Sequence, residues 1–252
     1  MPSVLVEKQT PQITVLTLNR PERRNAITVE LADELTSAIE NAAADPTQRI
    51  LILRGAGKAF CTGLDLQEAA KVEPHVTAET VARTLLALAE TRLVTIATVH
   101  GAAVAGGAGI MSACDFVIAA ERTKIGYPEV RRGLVAGLVM TFLRRQLRER
   151  DLREVLLASE LFEAERAREI GLVNRVVPSA ELESEAQKIA ASILQGAPGA
   201  ITNSKRLLEE LWTRSFRDDI EIALHHHMNA RESAEAKEGI RAFNEKRPPN
   251  WT

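Results

Sequence analysis

Three short stretches of this 252-residue chain carry residue types that can do chemistry. The first is Lys58-Ala59-Phe60-Cys61-Thr62-Gly63-Leu64-Asp65-Leu66. A glycine there lets the chain turn sharply, and the amide of Leu64 becomes a free donor near a helix start. An ordinary strand-to-helix turn would look the same. The second is the small-residue run at 101–109, Gly101-Ala102-Ala103-Val104-Ala105-Gly106-Gly107-Ala108-Gly109. With so few side chains, a ligand can approach the backbone, and amides at Gly106 and Gly107 can donate to an oxyanion. Close helix packing also uses small residues. The third is Gly126-Tyr127-Pro128-Glu129-Val130-Arg131-Arg132-Gly133. A carboxylate such as Glu129, withdrawn from water among apolar and glycine residues, has a raised pKa and can move a proton near neutral pH. An acid just after a proline also initiates helices.

The elements around these stretches read as strands and helices in alternation. Apolar runs at 4–6 and 13–18 predict two strands around the Thr10-Pro11 turn. Thr28 caps a helix over 29–44, with Leu31, Leu35 and Ile39 on one face. A buried strand at 50–53 leads into the first stretch, and helical segments follow at 64–71 and 78–90. A strand at 94–99 leads into the second, which continues as a helix at 110–113 before a strand at 116–119. This alternation predicts an α/β fold with parallel pairing. Helical periodicity dominates from Leu138, interrupted by a strand at 172–177.

Composition excludes several function classes. Hydrophobic residues make up 45% and charged residues 26%, with a net charge of -2, ordinary for a globular enzyme and poor for nucleic acid or an anionic membrane. The arginines at 144, 145, 148, 150 and 153 alternate with acids and read as a solvated helix face. No apolar run is long enough to span a bilayer, and no signal segment is legible. The two cysteines, Cys61 and Cys114, lack any ligand spacing and read as reduced, packed thiols of a cytoplasmic protein. Three consecutive histidines, 225–227, diverge on a helix and read as surface or subunit-contact residues, not as a metal site.

Taken in order, the motifs resemble the crotonase (enoyl-CoA hydratase/isomerase) superfamily nearly end to end. Leu18-Asn19-Arg20-Pro21 with Asn25-Ala26 resembles its opening segment. Residues 60–66 and 101–109 resemble its two oxyanion-hole motifs, 126–133 its acid/base segment, and Ala242-Phe243-Asn244-Glu245-Lys246-Arg247 its tail. The resemblance implies a ClpP-like spiral of ββα units over 1–195 and a C-terminal helical trimerisation region over 196–252. It implies a homotrimer or hexamer that takes an acyl-CoA substrate, with CoA as part of the substrate and no other cofactor or metal. The N–H groups of Leu64 and Gly106 would hold the thioester oxygen, with Glu129 as acid/base. Arg23, Arg24, Ala26, Phe60, Thr62 and Leu66 would flank the CoA. Phe243 and Lys246 match tail residues that in relatives reach the CoA of a neighbouring subunit. Asp65 reads as a helix cap.

One position departs from the pattern. Hydratases of the family carry a second glutamate where this chain has Gly109. One carboxylate can shuttle a proton between C2 and C4, as isomerases that move a double bond from C3 to C2 do, with no water to activate. The expectation is therefore an enoyl-CoA hydratase/isomerase. An isomerase alone, a methylglutaconyl-CoA-type hydratase and a non-catalytic acyl-CoA- or RNA-binding relative stand as alternatives. Tyr127, Glu68 and His100 are the side chains that would have to stand in for the missing acid.

Overall fold

The computed structural model describes residues 1–212 and 215–250; positions 251–252, the end of the expected C-terminal region, lie outside them. Strands β1 (Val4–Thr10), β2 (Ile13–Leu18), β3 (Ile50–Gly55), β4 (Val94–Val99), β5 (Ala102–Val104), β6 (Phe116–Ala120), β7 (Lys124–Gly126), β8 (Phe162–Glu163) and β9 (Arg175–Val177) form two sheets. The larger has the order β1-β2-β3-β4-β6-β9 and the smaller β5-β7-β8. Beyond the antiparallel β1–β2 hairpin, every pair in the larger sheet is parallel.

Helices α1 (Val29–Ala44), α2 (Leu66–Ala69), α3 (Pro74–Glu90), α4 (Gly106–Ser112), α5 (Gly137–Gln146), α6 (Glu149–Arg153) and α7 (Ala164–Glu169) connect the strands. Then come α8 (Leu182–Leu194), α9 (Pro198–Glu210), α10 (Phe216–Arg231) and α11 (Ala234–Glu245). Thr28 caps α1 by accepting the amide hydrogen of Leu31, as its residue type predicts.

Alternation along the strands explains the layering. Ile13, Ile50, Ile52 and Ile96 join Leu182, Ala186 and Ile189 of α8 in one apolar cluster. Leu16, Leu18, Leu51, Leu53 and Val99 face the opposite way, into a larger cluster with α1, α3 and α5. Both faces of the sheet are thus buried, as parallel sheets require.

Isolated parallel bridges Ile27↔Leu64 and Cys61↔Ala103 link the chain outside the named strands. Each turn of the chain therefore pairs once in the large sheet and once in the small layer. That double pairing is the spiral. Ile220 and Ala223 of α10 belong to the larger core cluster, so the helical region after residue 195 shares the core of the spiral.

The arginine-rich stretch is only partly a solvated face. Arg153 pairs with Glu149 at 2.7 Å and Arg148 with Asp151 at 3.2 Å, both on the surface. Arg145 is different: its guanidinium is buried, pairs with Glu209 and Asp219, and stacks 3.5 Å from the Phe216 ring centroid. It ties α5 to α9 and α10, a role that sequence spacing does not reveal.

Candidate active site

The first two motifs meet because the backbone of one lies against the other. Gly63 has φ +85, and a Cβ there would sit 2.9 Å from the Val104 carbonyl oxygen and 3.3 Å from the Gly106 nitrogen. Only glycine permits both the conformation and the approach. Leu64 is held in place by its neighbours: the Ile27 amide donates to the Gly63 carbonyl at 2.8 Å, and the Asp65 amide to the Ile27 carbonyl at 2.8 Å. Ala105, at φ 52 and ψ -126, is strained, and it directs the chain into α4. Its own amide donates to the Gly126 carbonyl. Gly106 is then the first residue of the helix, where N–H groups have no intrahelical acceptor. Leu64 and Gly106 both line one cavity of about 660 Å³, of the size that holds a small-molecule ligand.

Glu129 lines the same cavity from a short 3-10 turn, Glu129–Arg132, that follows β7 and Pro128. It is 9% exposed, and its Oε2 has no hydrogen-bond partner among the described residues. Burial pushes its carboxyl up to about 7, against the weaker opposing pulls of its own backbone N–H and of Arg132. The group is therefore poised to give or take a proton at neutral pH.

Ala26, Thr62 and Leu66 line the cavity wall, and Arg23 and Arg24 lie at its exposed edge. The Arg23 guanidinium is already engaged, with Nη2 3.1 Å from Oδ1 of Asp65 and 2.9 Å from Oε1 of Gln67. Asp65 caps α2 by accepting the Glu68 amide hydrogen, the capping role its sequence context predicts. Phe60 is a correction: it is fully buried in the core and does not line the cavity, so its ring packs and does not flank a ligand. Phe243 and Lys246 line this chain's own cavity, because α11 folds back against the turn that bears Glu129.

Neither Tyr127, His100 nor Glu68 stands on the cavity wall to replace the acid missing at Gly109. A Cβ at Gly109 would meet Val139 Cγ2 at 2.9 Å, and Val139 itself lines the cavity. Tyr127 is fully buried and shares a 2.9 Å hydrogen bond with Ser112; burial pushes its hydroxyl well above its usual range. His100 lies 2.9 Å from the Gly57 carbonyl oxygen, and neither it nor Glu68 lines the cavity. Cys61 and Cys114 are buried, and burial pushes both thiols up to about 12, so neither is a nucleophile.

Sequence reasoning missed several polar residues of the wall, among them His227, Arg132, Arg231 and Thr77. His225 and His226 are exposed, but His227 faces inward, with Nδ1 3.2 Å from the Val135 carbonyl oxygen. Burial lowers its pKa, which keeps the ring neutral. His227 and Arg231 stand four residues apart on α10, a helical-face spacing that the sequence does contain. Among the described residues, no group of three His, Cys, Asp or Glu side chains could hold a metal ion. Among them also, no helix is long and apolar enough to cross a membrane.

Comparison with known proteins agrees with this architecture. Residues 8–252 match the family model for enoyl-CoA hydratase/isomerase. A Thermus thermophilus protein, named provisionally as an enoyl-CoA hydratase, is 38% identical over 98% of this chain and 100% of its own length. The mevalonyl-coenzyme A hydratase of Aspergillus fumigatus is 34% identical over 98% of this chain and 94% of its own. The crystal structure of an enoyl-CoA hydratase/isomerase from Pseudoalteromonas atlantica superposes with a TM-score of 0.90 at 29% identity, covering 99% of this chain and 100% of that one. With a match over nearly its whole length and the paired-sheet spiral described above, the chain belongs to the enoyl-CoA hydratase/isomerase family, has the crotonase fold and is an enzyme of that family.

Proposed function

We propose that this enzyme isomerises a 3-enoyl-CoA to the 2-enoyl-CoA, with Glu129 as its single proton carrier. The carrying observation is the buried carboxyl of Glu129, its Oε2 without a partner among the described residues and its pKa raised to about 7, together with Val139 filling the space that a side chain at 109 would need. The thioester oxygen accepts hydrogen bonds from the N–H groups of Leu64 and Gly106. The Glu129 carboxylate takes a proton from C2, and the electron pair of that C–H bond moves into a dienolate whose charge rests on the thioester oxygen. Preorganised donors at that oxygen lower the barrier by about 3 kcal/mol each. Glu129 then returns the proton to C4, and the double bond closes between C2 and C3. No water enters, and the carboxylate is regenerated.

CoA lies along the wall to which Arg24, Thr62, Leu66, Phe243 and Lys246 contribute; the exposed cations there suit its phosphates. The reaction calls for no cofactor beyond the CoA of the substrate. The apolar ridge of Leu207, Leu208, Leu211 and Trp212, each about half exposed or more, supports assembly as a homotrimer or a hexamer.

Hydration is the second reading, favoured by the relatives whose names carry it. Incubation with a 3-enoyl-CoA and, separately, with a 2-enoyl-CoA distinguishes the two. Conversion of the first without hydration of the second is the expected result. Hydration as the faster reaction would overturn the isomerase reading.

A further inference from the structure

The buried part of the cavity wall holds a cation that pairs with no anion among the described residues. Arg231 is 9% exposed, yet among the described residues its guanidinium makes one hydrogen bond, from Nη2 to the Ala69 carbonyl oxygen, long at 3.4 Å. A guanidinium has five N–H donors, and buried charges are ordinarily paired. Thr77, 3% exposed, lines the same cavity from α3, and its Oγ1 has no hydrogen-bond partner among the described residues. Arg132 adds a second cation: its Nε is buried and unpartnered, and its guanidinium carbon lies 4.5 Å from the Phe243 ring centroid.

The acids on the cavity wall do not answer these groups. Asp65 is taken by Arg20 and Arg23, and Glu22 is exposed. Glu129 influences Arg132 through space, but no ion pair joins it to either arginine, and it must titrate for the reaction. His227, neutral and one helical turn from Arg231, contributes polarity without charge. The exposure of the cations sorts their tasks. Arg24 and Lys246 are exposed and suit the CoA phosphates, whereas Arg231 and Thr77 are buried where the acyl group would lie.

We propose that the acyl group accepted by this site ends in a carboxylate, which Arg231 and Thr77 bind, with Arg132 supplying a second positive charge. The substrate class is thus the CoA monothioester of an unsaturated dicarboxylic acid. The proposal rests on the reading of the cavity as an acyl-CoA site and adds which acyl groups it selects. A carboxylate there would satisfy the orphaned hydroxyl of Thr77 and pair the guanidinium at once. A methyl-terminated chain would leave both unpartnered, which is how a polar pocket rejects an apolar analogue.

The test compares kcat/KM for a carboxylate-ended enoyl-CoA with that for a methyl-ended enoyl-CoA of equal length. Wild type is expected to prefer the carboxylate at least tenfold. Arg231→Met should cut that preference by roughly 10–100-fold, mainly through KM, and Arg231→Lys should retain part of it. Thr77→Val keeps the shape, loses the hydroxyl and should cut the preference about threefold or more; it carries the test should Arg231→Met not fold. A wild type that prefers the methyl-ended substrate overturns the proposal. So does a parallel loss on both substrates in Arg231→Met, which would assign Arg231 to CoA or to packing. If wild type turns over neither substrate, the acyl-CoA reading itself fails and this proposal falls with it.

Discussion

Replacing Glu129 with Gln should make the protein more stable while removing its activity, and the pH dependence of that gain follows from the structure. The carboxyl has a pKa of about 7 in the fold against 4.5 in the open chain, because burial disfavours its charged form. A raised acid pKa means that the unfolded state releases this proton first, so folding loses stability as pH rises from about 4.5 and reaches the full loss above about 7. At 1.36 kcal/mol per pKa unit, the ionised side chain costs about 3 kcal/mol at pH 8, less than about 1 at pH 5 and almost nothing at pH 4. Gln is isosteric and uncharged. Glu129→Gln should therefore gain about 1–3 kcal/mol at pH 8, the lower end allowing for an amide without partners, and a few degrees in Tm for a chain of this length. The same variant should lose 10²–10⁴-fold in kcat, the range for a positioned acid/base group. Urea unfolding at pH 5 and pH 8, beside initial rates, measures both. A stability difference that does not change between the two pH values would refute the burial argument.

Four further outcomes are expected. In wild type, kcat/KM for isomerisation should rise with pH to a plateau above about 7, because the reaction begins from the carboxylate; a limb that falls through 7 would mean that Glu129 acts first as an acid. Gly109→Glu should lose about 1–3 kcal/mol by overpacking against Val139 and gain no hydratase activity, whereas pairing it with Val139→Ala should recover much of the stability in thermal melts. Arg145→Met should lose about 2–3 kcal/mol in chemical unfolding, since it leaves Glu209 and Asp219 facing an apolar side chain. Leu208→Glu with Leu211→Glu on the exposed ridge should shift the sedimentation profile from the proposed homotrimer or hexamer toward monomer.

Much of the positioning frame was legible in the sequence because it is local. Thr28 and the Leu31, Leu35, Ile39 spacing delimit α1, and the apolar run of β4 announces itself. What escaped is made by tertiary contact. Strands β7 and β8 have three and two residues, too short to carry a period, and exist because partners pair with them. The start of α4 lies at Gly106, not at 110, because close backbone approach outweighs the poor helix propensity of glycine. Phe60 shows the opposite failure: its place in a motif resembling a binding segment concealed that it follows a buried strand into the core. The inward face of α10 carries His227 and Arg231, and it turns toward the cavity because that helix packs on α3 and α5. Nothing in a run of three histidines and a nearby arginine tells which face will meet a ligand.

A crystal structure with a bound enoyl-CoA or a stable analogue would show whether two backbone donors and one carboxyl converge on the thioester. The thioester oxygen should lie about 2.7–3.1 Å from the nitrogens of both Leu64 and Gly106, with the Glu129 carboxyl against C2. A thioester oxygen bound elsewhere, or C2 facing away from Glu129, would contradict that convergence.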